Sequence, residues 1–400
     1  MSTTRIALMG ALWFLLAAGG VARPGEWSGQ ATLENFGFAQ NGQSERQESH
    51  VVSFTVQPEY YVEWDGGRQS FTFEPFWRYD HEDSERSHLD IRELTWLKAA
   101  DRWELRLGVR KVFWGVAESV HLVDIINQTD LVENLDGEEK LGQPMINFAW
   151  IESWGTAEIF LLTGFRERSF PGHDGRLRTP IIVDDDLARY ESGAEEERLD
   201  WALRYGHTVG AWDFGASYFS GTSREPLLQP DRNAAGETVL APFYPVIDQL
   251  GLDVQGTFGS WLLKWESTYR RDFGDRDFLA AVGGFEYTFF DLRGTGIDIG
   301  LLGEYLYDER GEDATNPFDD DVFVGTRLAL NDTWSTELLA GVVIDGSGGG
   351  NFVNVEGQRR ITDHLTLSLE YRAFTGTEAE DPLHAFRDDD HFRLEAGWYW

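Results

Sequence analysis

Cysteine is absent from the 400 residues. That excludes disulfides, thiolate zinc sites and cysteine nucleophiles. Basic residues are scarce: 34 Lys and Arg stand against 69 Asp and Glu, a formal charge of −35. So acidic a chain lacks the basic footprint of a nucleic-acid binder, and no nucleic-acid partner is expected. Long apolar runs are missing too. Beyond the N-terminus nothing approaches the roughly 18 consecutive apolar residues of a transmembrane helix. The nine His are scattered without a metal-ligand spacing, and no G-x-S-x-G or P-loop pattern occurs. The chain is therefore not expected to be an enzyme or to carry a cofactor. Aromatic residues and glycine are plentiful, with 16 Trp, 27 Phe, 13 Tyr and 43 Gly. A large β protein remains, either soluble or a membrane barrel.

The N-terminus predicts export. Arg5 precedes an apolar run from Ile6 to Ala18, then Gly19-Gly20-Val21-Ala22. A basic start, a short apolar core and small residues read as a cleavable secretory signal. It is expected to span 1–22, cut after Ala22, leaving 23–400 as one domain bound for a bacterial (Gram-negative) outer membrane.

Alternation dominates the mature chain. In Leu365-Thr366-Leu367-Ser368-Leu369-Glu370-Tyr371-Arg372 every second residue is apolar, and Trp103 to Arg110 does the same. Barrel strands of about ten residues read this way, although one sheet of a soluble sandwich does so too. Connections separate the two. About eighteen candidate strands, from 28–40 to 390–400, are joined alternately by short turns and long polar loops; sixteen is the other count considered. Short turns at one rim and long loops at the other are the layout of an all-β, closed antiparallel transmembrane barrel with short periplasmic turns and long extracellular loops. Trp64, Trp103, Trp154, Trp212, Trp261 and Trp334 each flank a short turn, and Trp400 ends the chain on that side. They are expected to form an interfacial girdle. Phe113, Phe165, Tyr218, Tyr269, Tyr305, Phe374 and Phe392 are expected to form the opposite one.

The last strand, Phe392-Arg393-Leu394-Glu395-Ala396-Gly397-Trp398-Tyr399-Trp400, resembles the terminal assembly strand of bacterial outer-membrane proteins. The whole mature chain resembles a porin-like barrel in layout, with Trp400 standing where porins commonly end in Phe. The resemblance implies that the third long loop, 115–143, folds inward and narrows a pore. It also implies outer-membrane lipid, lipopolysaccharide and the barrel-assembly machinery as partners, the last through the terminal strand.

The loop's composition fits a packed position. Val120, Leu122, Val123, Ile125, Ile126, Leu131, Val132 and Leu135 need a surface to bury against, and Asp130-Leu131-Val132-Glu133 resembles a capping box. Its acids are Glu118, Asp124, Asp130, Glu133, Asp136, Glu138 and Glu139, against the base Lys140. Arg78, Arg92 and Arg110, with Arg106 lower, are expected on the wall across from it. Arg372 and Arg393 lie at similar height. Facing charges of opposite sign would set a field across the pore; alternatively these arginines pair with wall acids such as Glu74, Glu104, Glu370 and Glu395. Four acidic triplets, 184–186, 195–197, 319–321 and 388–390, read as a solvated rim or as weak Ca²⁺ or Mg²⁺ ligands.

Eighteen strands leave an aqueous lumen. The function expected is passive diffusion of small hydrophilic solutes, mildly favouring cations, with a homo-oligomer left open. A non-transport surface, structural or adhesion barrel, and a substrate-specific exporter, remain the alternatives.

Overall fold

The computed structural model describes residues 24–346, 350–377 and 381–400. The signal segment expected at 1–22 lies outside the described residues. Eighteen strands form one antiparallel sheet: β1 (Glu26–Phe38), β2 (His50–Trp64), β3 (Gln69–Asp80), β4 (Leu89–Ala99), β5 (Trp103–Arg110), β6 (Gln143–Glu152), β7 (Gly155–Thr163), β8 (Leu199–Val209), β9 (Trp212–Thr222), β10 (Val246–Phe258), β11 (Trp261–Phe273), β12 (Arg276–Phe289), β13 (Asp298–Asp308), β14 (Asp320–Ala329), β15 (Glu337–Asp345), β16 (Asn351–Arg360), β17 (Leu365–Thr375) and β18 (His391–Tyr399). Each pairs with its neighbour in sequence. β18 returns to β1, from Gln30 opposite Tyr399 to Phe38 opposite His391, and closes the ring. Closure leaves no strand edge unpaired, which is what a strand-built membrane span requires. No helix among the described residues is long and apolar enough to cross a membrane.

The alternation turns into two faces. On β17 and β18, Leu367, Leu369, Phe392, Leu394 and Trp398 are exposed on the outside. The residues between them, Glu370, Arg372, Arg393 and Glu395, point into the lumen and pair there. Trp154, Trp212, Trp261, Trp334 and Trp400 are exposed beside the short turns, as a girdle requires. Trp64 departs from the expected ring, being buried. On the long-loop side Phe165 and Phe374 are also buried. Phe165 meets Tyr190 and Tyr244, and Phe374 meets Phe352 and Phe386, all within 6 Å between ring centres. They serve the interior because the long loops fold inward over them.

β5 stops at Arg110, where its alternation ends. From Lys111 the chain leaves the wall and enters the lumen. A further departure is the connection after β9, where a long polar loop is expected over 221–245. It contains a hairpin, Leu227–Arg232 paired with Thr238–Tyr244, and Arg189–Tyr190 adds to it in parallel.

Candidate functional site

The segment from 111 to 142 leaves β5 and rejoins the wall at β6. In between it reaches β11 and β13, six and eight strands round a ring of eighteen, so it spans most of the lumen. Wall carboxylates hold it there. Glu266 of β11 accepts the backbone N–H groups of Val116 (2.6 Å), Ala117 (2.8 Å) and Val123 (3.3 Å). Glu304 of β13 accepts those of Glu118 and Ser119, both at 2.8 Å, and the Ser119 hydroxyl at 2.6 Å. Both carboxylates are buried. A crossing loop has no strand partner for its amides, and a buried N–H left unpaired is costly. Two glutamates supply the missing acceptors. Gly115 permits the approach: its φ is +148°, and a Cβ there would sit 3.1 Å from Glu266 Oε1.

The returning limb is apolar. Val123, Ile125 and Ile126 are almost wholly buried against Met145, Phe160, Phe219 and Ile247 of the inner wall. Burying each such side chain is worth roughly 1.5–3 kcal/mol. Gly251 of β10 makes room, since a Cβ there would come within 3.3 Å of the Val123 side chain.

Past Ile126 the loop meets arginines. Arg78 of β3 grips both oxygens of Glu133, at 2.7 and 2.6 Å, and also donates to Glu34 of β1 at 2.8 Å. Arg92 of β4 donates to Asp130 at 2.7 Å and to Asp90 at 2.9 Å. Arg372 of β17 donates to Asn134 at 2.6 Å and to Asp136 at 2.8 Å. Arg86, in the β3–β4 connection, ties Glu34 (2.6 Å) to the Val132 carbonyl (2.7 Å). Arg393 of β18 completes the set on Glu34 at 2.7 Å. A bulge aims one of these groups. Glu74 pairs with Glu93 but Pro75 with Ile91, so Arg92 is the extra residue of β4. Bulges re-aim side chains in this way.

The charges respond to this crowding. Burial pushes the Asp130 carboxyl up, but His88 at 3.3 Å and the Arg92 charge outweigh it and hold Asp130 well below the usual range. Burial pulls His88 down, yet Asp130, 3.3 Å from its Nε2, and Glu133 leave it raised. At Asp124 burial dominates and raises the carboxyl, despite Lys140 at 3.3 Å. His121, 3.8 Å from Glu138, lowers that carboxyl. Among the described residues His88, Asp130 and Glu133 are the one group with ligand atoms close enough to hold a metal ion. Two guanidinium groups already neutralise its carboxylates, so its chemistry does not suit a cation.

The candidate residues from the sequence therefore separate. Asp130 and Glu133 are buried in ion pairs with Arg92 and Arg78. Those arginines lie beneath the loop and not across a gap from it, because the returning limb docks on the β3–β4 wall. Glu118 reaches the other side, 3.2 Å from Lys264 and 2.8 Å from Arg327. Asp136, Glu138 and Glu139 are exposed. Arg106 and Arg110 do not join the loop acids: Arg106 pairs with Glu104, and Arg110 donates to Asn147 at 2.8 Å. At the capping-box segment a single turn forms, in which the N–H of Glu133 meets the Asp130 carbonyl at 3.1 Å. The sequence reading missed Glu34, Arg86, Glu266 and Glu304. As isolated charges, nothing in the linear pattern distinguishes them from other inward residues.

A second loop closes over the first. Gly172 donates its N–H to Asp83 at 3.0 Å, and Arg176 reaches Asp389 at 2.6 Å beside β18. Between the two loops and the wall of β14 to β17 lies a cavity of about 460 Å³.

No family model and no curated protein matches the chain. Among solved structures it is similar to one described by the asymmetric conductivity of engineered proteins, with a TM-score of 0.47, 11% identity, and 94% of this chain and 100% of that one covered. It is also similar to a triple mutant of the Rhodopseudomonas blastica porin, with a TM-score of 0.46, 10% identity and the same coverage. The strand pairing itself establishes a closed antiparallel barrel of eighteen strands.

Proposed function

We propose that the chain is an outer-membrane channel through which small hydrophilic solutes diffuse passively. The observation that carries this reading is the crossing loop, held by wall carboxylates at one side and wall arginines at the other. Such a bar narrows a barrel without filling it. Below it the wall stays charged: Glu74, Glu93, Glu104 and Glu158 share the β3–β7 side with Arg106 and Arg110. With Asp136, Glu138 and Glu139 on the loop, the acids outnumber the bases, which supports a mild preference for cations. Glu118, Asp136, Glu138 and Glu139 are then the constriction acids that meet solvent or the opposite wall. Asp124, Asp130, Glu133, Arg78 and Arg92 brace it, and Arg106 and Arg110 belong to the wall below. The acidic triplets are proposed as a solvated outer rim.

Planar-bilayer recording with purified full-length protein tests this. Stepwise ohmic conductance in KCl is the expected result. A correctly folded barrel that inserts without conducting would favour the structural alternative.

A further inference from the structure

The inner wall of β14 to β16 differs from the rest of the lumen. On β15 the residues from Leu338 to Ile344 read Leu-Leu-Ala-Gly-Val-Val-Ile, with no polar residue. A strand with lipid on one side and water on the other alternates; a continuous apolar run has apolar surroundings on both faces. Leu338 and Ile344 are exposed on the outside. On the inside, Leu339 and Val343 join Phe323 of β14 and Phe352 of β16 as one wall of the 460 Å³ cavity. Leu131 and Leu135 of the crossing loop and Phe170 and Leu177 of the covering loop also line it. The two loops leave this volume open although its lining is mainly apolar. Cavities that hold small molecules have this size and this lining, with a few polar groups to fix orientation.

Glu118, Asp136, Glu138, Glu356 and Arg372 line it too, but each already meets an opposite charge, which leaves Arg168 and Arg178. Arg168 donates to Gln128 Oε1 at 3.4 Å and to the Arg224 carbonyl at 3.0 Å. Arg178 donates to the carbonyls of Gly175 at 3.2 Å and Thr179 at 2.8 Å, and more weakly to those of Pro180 and His173, both at 3.4 Å. Among the described residues neither has a carboxylate within ion-pair distance, whereas Arg78, Arg92 and Arg372 all do. A guanidinium that meets only neutral acceptors keeps a positive charge that no carboxylate compensates, and an added carboxylate would supply the missing countercharge.

We propose that this chamber binds a small apolar monocarboxylate, with its carbon body against Phe323, Val343 and Phe352 and its carboxylate held by Arg168 and Arg178. The inference rests on the channel reading in one respect: the chamber then acts as a selective station on the outer side of the crossing loop. Binding itself does not require conduction, so the two can fail separately.

The probe is 4-phenylbutyrate, compared with its primary amide and with acetate. Each is titrated calorimetrically into the full-length barrel in detergent, and the same preparation is recorded in KCl. Saturable binding of 4-phenylbutyrate is expected, with the amide and acetate each at least tenfold weaker. In the doubly substituted Arg168→Gln, Arg178→Gln barrel the ratio of carboxylate to amide affinity should fall to about one. Equal binding of acid and amide to the unmodified protein overturns the proposal, and so does the absence of saturable binding. Because that comparison needs no variant, it stands even if the substituted barrel fails to fold. Binding without ionic conductance upholds the site and removes the channel reading; conductance without binding does the reverse.

Discussion

Arg78 and Glu133 are 55 positions apart in the chain, yet both carboxylate oxygens of Glu133 lie on one guanidinium, at 2.7 and 2.6 Å. Neither group meets water. The pair fixes the returning limb of the crossing loop to β3, and through Glu34 it extends to β1 and β18.

Removing one partner of a buried pair strands the other, at a cost of about 3–5 kcal/mol. Arg78→Met should therefore destabilise the barrel by about that amount, measured as a shift in urea-driven unfolding of the refolded protein. Glu133→Gln should cost less, since an amide still accepts one N–H and Arg78 keeps Glu34. A wild-type midpoint for Arg78→Met would show that the pair anchors nothing.

The opposite anchor is made of acceptors. Glu304→Ala leaves the amides of Glu118 and Ser119 unpaired, at about 1–3 kcal/mol for each group that stays buried. The expected outcome is a loosened loop, with higher mean conductance and more open-channel noise in single-channel records. Glu304→Gln should lie between wild type and alanine. Unchanged conductance in both variants would place the narrowest point elsewhere.

Acid and base each remove one contribution from the arginine side. His88 is raised in the folded protein, so its contribution is complete below its unfolded value, about 6.5. It is lost as pH rises through the higher folded value. Asp130 is depressed, so its contribution is present above about 3.9 and is lost as pH falls through the folded value. Channel noise should therefore increase on going from pH 6.5 towards alkaline pH, and His88→Asn should flatten that rise. Noise independent of pH in the wild type would detach His88 from loop retention.

Ion selectivity separates the exposed acids from the buried ones. Neutralising Glu138, Glu139 and Asp136 together should lower the cation-to-anion permeability ratio at 0.1 M KCl, where the screening length is about 10 Å. The effect should vanish near 1 M, where it is about 3 Å. Glu133→Gln should barely move the ratio, because Arg78 already cancels that charge. A larger effect from Glu133→Gln than from the triple change would contradict the exposure pattern. Reversal potentials across a salt gradient provide the measurement.

Much of the barrel is determined by the sequence alone. A period of two along Leu365 to Arg372, turns such as Thr362-Asp363 and long polar connections are local properties, and strands have few other ways to satisfy them in lipid. The apolar stretch Val123 to Ile126 likewise requires a surface, whatever that surface is. The partners of charged residues are not local. Glu34 finds Arg78, Arg86 and Arg393 because closure joins β1 to β18 and the loop presses Arg78 inward. Arg92 turns to Asp130 because one bulge in β4 shifts its register. Arg372 meets Asp136 across 236 positions. Which Glu holds a backbone and which holds a guanidinium depends on where the crossing chain passes. That path balances burial and hydrogen bonding over the whole lumen, so only the tertiary structure decides it.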